Sequence, residues 1–278
     1  MNYRHAFHAG NFADLVKHAV LLAVLDEMKI DARPIGVLDT HAGAGLYDLS
    51  DPNQARSKEA EAGVKRLLAR EPEPAFAALA AAVRALNGEG AVRFYPGSPW
   101  LAVTALRPGD RYVGCELRAD DHGQLETTLR RFAPRGVGAE ARRVDGYETA
   151  LAAAGEAGRL CVLIDPPFER PDDYVRAAQA AKAVLKGRAR PTPVMIWTPL
   201  KDLETLDGFL RRLEGVGQRP ALITEARLRR LDNPMKMNGT AMVVLNPPAR
   251  LREQAEAICQ AVVSGLGEPG GEARVWSL

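Results

Sequence analysis

Short apolar runs alternate along the chain with longer stretches in which apolar positions recur every three or four residues. The first kind reads as buried strands and the second as amphipathic helices. The strand-like runs are 35–38, 111–116, 139–144, 159–164, 193–198, 222–228 and 240–245. Helical patterns lie between them. Asn11 caps the first, with Leu15, His18, Ala19, Leu22 and Leu25 along one stripe until Ala32-Arg33-Pro34 breaks it. Ser98 is expected to cap another, with Pro99 at its first position and an end near Leu106. Further helices are expected around His122 and over 172–185, 200–213 and 251–263. Strands alternating with helices and finishing in a strand pair predict a doubly wound α/β sheet. The alternation fails from Asp48 to Val92, where only helical signals occur. One segment opens at Ser57 and runs to Leu68; an alanine-rich one follows Pro74 and closes at Asn87-Gly88. The expected organisation is a main domain of residues 1–47 and 93–278, with a small helical subdomain, 48–92, inserted after the first strand.

Composition changes this picture little. With 46% hydrophobic and 26% charged residues, the chain has the balance of an ordinary soluble protein with a sizeable core. A net charge of +2 over 278 residues does not by itself announce a polyanion binder. The arginines are clustered, however: Arg130-Arg131 with Arg135, Arg142-Arg143, Lys186 to Arg190, and Arg227 to Arg230. These attract phosphate as a surface only if the fold brings several to one side. Cys115, Cys161 and Cys259 have neither metal-site nor redox spacing and read as reduced core residues of a cytoplasmic protein. The polar N-terminus lacks a signal-peptide run, and no apolar stretch approaches the ~20 residues of a membrane span.

The candidate chemistry gathers at strand ends. Residues 159–164 stop at Asp165-Pro166-Pro167-Phe168. Neither proline can donate to a ladder, so the strand must leave the sheet as a stiff, extended loop. In an open α/β sheet such a loop faces the ligand crevice. Asp165 and the Pro166 carbonyl suit an amino group, and Phe168 suits the face of a flat ring. The first strand runs into Asp39-Thr40-His41-Ala42-Gly43-Ala44-Gly45. This loop lacks the third glycine of a dinucleotide fingerprint and the Gly-Lys-Ser/Thr of a P-loop. An acid followed by Gly-x-Gly is the form used by S-adenosylmethionine-binding sheets, and it is also what an ordinary turn can look like. Glu116 and Asp145-Gly146 end two further strands, so four acids close four strands. Glu116 is placed to accept from ribose hydroxyls, and Asp145 from an adenine amino group. Three of the five histidines, His5, His8 and His18, fall within the first eighteen residues, without the cysteine or acidic partners of a zinc site. No metal is expected.

The Asp-Pro-Pro-Phe and acid-Gly-x-Gly loops together resemble the class I S-adenosylmethionine-dependent methyltransferases that act on exocyclic amino groups of bases. Residues Tyr3 to Asp14 and the Asp39–Gly45 loop carry the resemblance further, to the RlmJ family, which methylates N6 of an adenine in 23S ribosomal RNA. The resemblance runs nearly end to end, insert included. It implies a Rossmann-like methyltransferase sheet and S-adenosyl-L-methionine as cofactor. His18, His41, Gly43, Ser98, Glu116, Asp145, Gly146 and Asp165 are the implied cofactor contacts. Asp165, Pro166 and Phe168 form the catalytic loop, and Tyr3, His5 and Lys17 meet the RNA. The implied partner is 23S rRNA, free or in an early assembly particle, and the implied state is a monomer off the membrane. Two rival readings fit the same residues: a guanine-N2 rRNA methyltransferase, and a non-catalytic RNA-binding protein on the same sheet.

Overall fold

The computed structural model describes residues 7–51, 58–69, 73–153, 158–188, 190–233 and 235–278. Tyr3 and His5 therefore lie outside the described residues. Helix α1 (Phe12–Lys29) opens as expected, with the Asn11 side chain accepting from the Asp14 N–H. The sheet begins with β1 (Ile35–Asp39), β4 (Arg111–Cys115), β5 (Gly138–Arg142) and β6 (Arg159–Ile164), and continues into β7 (Val194–Leu200). These five strands are parallel to one another. The order then turns antiparallel through β9 (Gly239–Leu245), β8 (Leu222–Arg227) and β10 (Glu272–Ser277). From edge to edge the eight strands run β10-β8-β9-β7-β6-β1-β4-β5. This is the doubly wound α/β sheet that the alternation predicts. Every residue of β8 and β9 is buried, while β5, on the edge, has none buried.

Helices cover both faces. On one side α1, α4 (Ser98–Ala105), α5 (Ala119–Phe132) and α9 (Leu251–Leu266) share one hydrophobic cluster. On the other, α6 (Gly146–Ala152), α7 (Asp173–Leu185) and α8 (Leu203–Leu213) share a second. The helical insert sits between two three-residue strands, β2 (Leu46–Asp48) and β3 (Phe94–Pro96), which pair antiparallel at its neck. It holds a π-helical turn at Glu61–Lys65 leading into α2 (Arg66–Leu68), then α3 (Ala77–Asn87). Val64, Leu67, Phe76, Leu79 and Val83 belong to the same cluster as α1 and α9. The described part of the insert is thus a further layer on that face of the molecule, without a core of its own.

Three expectations differ from the structure. The chain does not finish with a helix: β10 follows α9 and adds a third antiparallel strand to the expected pair. The helix assigned from Leu200 starts at Leu203, because β7 extends through Leu200 and Asp202 caps. Ser98 is not a cap. Gly97 occupies that place, and the Ser98 hydroxyl turns inward to donate to Asp39 Oδ2 at 2.7 Å.

Candidate active site

Because β1, β4, β5 and β6 are mutually parallel, the loops after them emerge at one edge of the sheet. There they line a cleft that contains His41, Gly43, Glu116, Asp145, Gly146 and Asp165 together. Six of the expected cofactor contacts are thereby brought to one place. Glu116 Oε2 accepts from the Gly43 N–H at 3.1 Å, and Oε1 from the Arg118 N–H at 2.7 Å, which ties the first and second loops. Burial pushes the Glu116 carboxyl up, against the pull of those two N–H groups. Asp145 caps α6 by accepting from the Tyr147 and Glu148 N–H groups. Gly146 is obligatory at this junction: a Cβ there would stand 1.8 Å from the Thr40 carbonyl oxygen, so only glycine lets the helix start against the first loop.

Among the cleft residues that were not sequence candidates, Arg176 and Tyr147 shape it most visibly. Arg176 donates to Asp145 Oδ2 at 2.8 Å and lies 4.4 Å over the Tyr147 ring. Burial alone raises the Asp145 carboxyl, but Arg176 and the helix N–H groups outweigh it and hold it low. Tyr147 also meets the His41 ring edge-on at 4.7 Å. Burial pushes His41 down to about 4, so its imidazole is neutral near pH 7. Arg176 sits on α7, which passes the cleft from a later part of the chain, whereas Tyr147 follows Gly146 directly in the first turn of α6. The sequence carries no local signal for Arg176.

The fourth strand-end acid, Asp39, is withdrawn into the protein. It is 1% exposed and accepts from Ser98 and, at 3.2 Å, from the Tyr112 hydroxyl. Burial raises its carboxyl to about 6. Asp39 and Ser98 therefore support the floor of the first loop and do not line the cleft. His18 also lies apart from it. Its ring is fully buried in α1, with Nδ1 2.8 Å from the Tyr95 hydroxyl.

A second cleft opens on the other side of Asp165. It is lined by His8, Lys17, Phe168, Trp197, Lys201 and Met237, among others. Asp165 and Pro167 line both clefts. The stiff loop does not stay extended. Pro166 and Pro167 carry the chain off β6, and Phe168 then turns it with φ +50°, a left-handed conformation that is strained for a phenylalanine. The Phe168 ring packs 4.4 Å from Tyr174 and 5.8 Å from Trp197. Trp197 is fixed in turn by donating Nε1–H to Thr240 Oγ1 at 2.7 Å. These partners come from β7, β9 and α7, so the sequence around Phe168 gives no sign of them.

Lys17 does not project as a surface contact. It is 3% exposed and its Nζ lies 2.6 Å from Asp165 Oδ2 and 2.8 Å from Asp14 Oδ1. Burial opposes its charge, but the two carboxylates overcome that and raise it above the ordinary lysine range. The i,i+3 spacing of Asp14 and Lys17 on the buried side of α1 was the available signal for an internal ion pair. The partner 148 residues away left none.

A family model described as "Ribosomal RNA large subunit methyltransferase D, RlmJ" matches residues 32–278. Two proteins called ribosomal RNA large subunit methyltransferase J are similar over nearly the whole length. One from Escherichia coli is 31% identical over 272 residues, covering 97% of this chain and 95% of its own. One from Haemophilus influenzae is 33% identical over 273 residues, with the same coverage. A crystal structure of a protein from Legionella pneumophila superposes with a TM-score of 0.87 at 25% identity, covering 97% of this chain and 98% of that one. The sheet, with antiparallel β9 between β7 and β8, is the Rossmann-like class I methyltransferase fold. By the family match and by these relatives, the chain belongs to the RlmJ family of ribosomal RNA large subunit methyltransferases.

Proposed function

We propose that this protein transfers a methyl group from S-adenosylmethionine to the exocyclic N6 of an adenine in 23S ribosomal RNA. The observation that carries the reading is the pair of clefts meeting at Asp165 and Pro167. A transfer between two bound molecules needs both reacting atoms at one wall, and here that wall is the catalytic loop.

The donor set of the first cleft fits the cofactor. Glu116 offers carboxylate oxygens suited to ribose hydroxyls, and Asp145 with the neighbouring backbone suits an adenine edge. Neutral His41 and the Gly43 backbone suit the remaining polar groups. The methyl donor supplies an electrophilic methyl on a sulfonium. The second cleft suits the base, whose ring would stack on Phe168 beside Trp197. The N6 amine would donate to Asp165 and to the Pro166 carbonyl. Those two hydrogen bonds hold the amine in line for transfer and favour its more nucleophilic geometry. Positioning of this kind accounts for roughly 7–11 kcal/mol of a barrier. Lys17, 2.6 Å from Asp165 Oδ2, holds that carboxylate in place. Asp165 thereby orients the amine, and the N6 proton displaced by the methyl would pass to solvent. The target adenine must be unpaired or flipped to reach the loop.

The test is direct. Purified protein is incubated with labelled S-adenosylmethionine and unmodified 23S RNA, and the RNA is digested to nucleosides. N6-methyladenosine supports the reading. N2-methylguanosine keeps fold and cofactor but assigns the second cleft to guanine. Absence of label from RNA, with the cofactor still bound, overturns it.

A further inference from the structure

The insert meets the rest of the protein at the turn that opens α1. Glu59 accepts from Asn11 Nδ2 through Oε2 at 2.9 Å, and its Oε1 lies 2.9 Å from His8 Nδ1. One carboxylate thus grips both sides of the turn. Four residues on, the π-helical turn lays backbone directly on backbone. The Val64 N–H donates to the Gly10 carbonyl at 2.9 Å. A Cβ on Gly63 would stand 2.1 Å from that carbonyl oxygen and 2.9 Å from Asn11 Cα. A π turn in place of regular helix often marks a functional site. Lys58, beside Glu59, has φ +54°, which is strained for a lysine.

From this turn a continuous set of bonds leads to the catalytic loop. Asn11 Oδ1 accepts from the Asp14 N–H at 2.9 Å, and Asp14 Oδ2 accepts from the Gly10 N–H at 3.0 Å. Asp14 Oδ1 pairs with Lys17 at 2.8 Å, and Lys17 pairs with Asp165 at 2.6 Å. Each member is buried or half-buried, so water competes little with these bonds.

We propose that the helical insert positions the catalytic carboxylate, and that Glu59 is a positioning residue acting on Asp165 through Asn11, Asp14 and Lys17. The proposal rests on the methyltransferase reading for its kinetic consequence but not for its structural one. The insert fixes the first turn of α1. That turn fixes the Asp14–Lys17 pair, and the pair fixes the angle at which Asp165 presents its carboxylate to the amine. Glu59 touches neither substrate nor cofactor.

The experiment compares the parent protein with Glu59→Ala and Glu59→Gln by two readouts. The first is hydrogen exchange in the absence of RNA. Glu59→Ala is expected to lose protection over residues 10–17 and over the loop at Asp165 together. Faster exchange confined to the insert, or none, overturns the proposal whether or not the protein methylates RNA. The second is steady-state methyl transfer with both substrates saturating. Glu59→Ala is expected to lower kcat about tenfold, with cofactor affinity unchanged within about twofold. Glu59→Gln, which keeps one acceptor oxygen, should recover part of the loss. A rise in KM for RNA at unchanged kcat would make the insert an RNA-docking element and overturn the proposal. Gly63→Ala, which pushes the same contact apart from the other side, should repeat the Glu59→Ala pattern. If that variant does not fold, the Glu59 pair decides alone. A parent protein without methyl transfer would refute the proposed function and leave the exchange result to stand by itself.

Discussion

At the scale of single residues, the environment gives each acid its task. Asp39, Glu116, Asp145 and Asp165 all follow strands, yet they do different things. Asp39 is the one that burial takes furthest out of reach of solvent. Its carboxyl is pushed up to about 6 from 3.8, by burial above all. Below about pH 4 it is protonated in folded and unfolded chains alike. Between about pH 4 and 6 only the folded protein keeps the proton, so stability falls as pH rises through that window, by about 3 kcal/mol in all. Asp39→Asn removes this dependence. Denaturant unfolding of parent and variant should diverge from pH 4 to 6; parallel curves would refute the assignment. Phe168 is the second test at this scale. Stacking of a base on an aromatic ring is worth about 1–3 kcal/mol, so Phe168→Ala should lose about that much in kcat/KM for RNA, with cofactor affinity retained. Phe168→Tyr should stay close to the parent. An unchanged kcat/KM in Phe168→Ala would remove the ring from the substrate site.

At the scale of elements, what could be read from the sequence was what local pattern dictates. The strands that carry the site are apolar runs with an acid or Asp-Pro-Pro at the end, and α1 announces itself by Asn11 and its stripe. Elements whose stability comes from distant partners could not be read. β10 has no buried residue and alternates only over Glu272-Ala273-Arg274-Val275; it forms because β8 offers an open edge. β2 and β3 are three residues each and exist only as each other's partner. Ser98 has every feature of a cap, and tertiary structure spends its hydroxyl on buried Asp39 instead. α6 is short and starts where Gly146 meets the first loop, a contact that no sequence window contains. The element-scale prediction follows from that contact. Gly146→Ala forces the α6 start off Thr40, and isothermal titration should find the cofactor bound about tenfold more weakly. Unchanged affinity would mean that the junction does not shape the cleft.

For the whole molecule, topology divides the basic clusters. Arg130 and Arg131 close α5, which returns the chain from β4 to the start of β5, so they lie at the edge away from the clefts. Lys201 lines the second cleft, and Lys236 adjoins Met237 on the same cleft. Lys201→Ala with Lys236→Ala should weaken RNA binding and lower the slope of log affinity against log salt by about 2, as lost phosphate contacts do. Arg130→Ala with Arg131→Ala should leave that slope unchanged. Sequence gave the clusters but not their sides, just as it gave Asp165 and Lys17 but not their meeting across 148 residues. In the proposed reaction Asp165 joins the two clefts by holding the target amine, and Asp165→Asn removes that carboxylate while keeping its shape. Lys17 keeps Asp14 as a partner in this variant, so the fold is expected to survive. Single-turnover transfer to 23S RNA is measured beside cofactor affinity. Transfer is expected to fall about a thousandfold or more, with cofactor affinity only mildly weakened. Transfer at the parent rate would contradict that role.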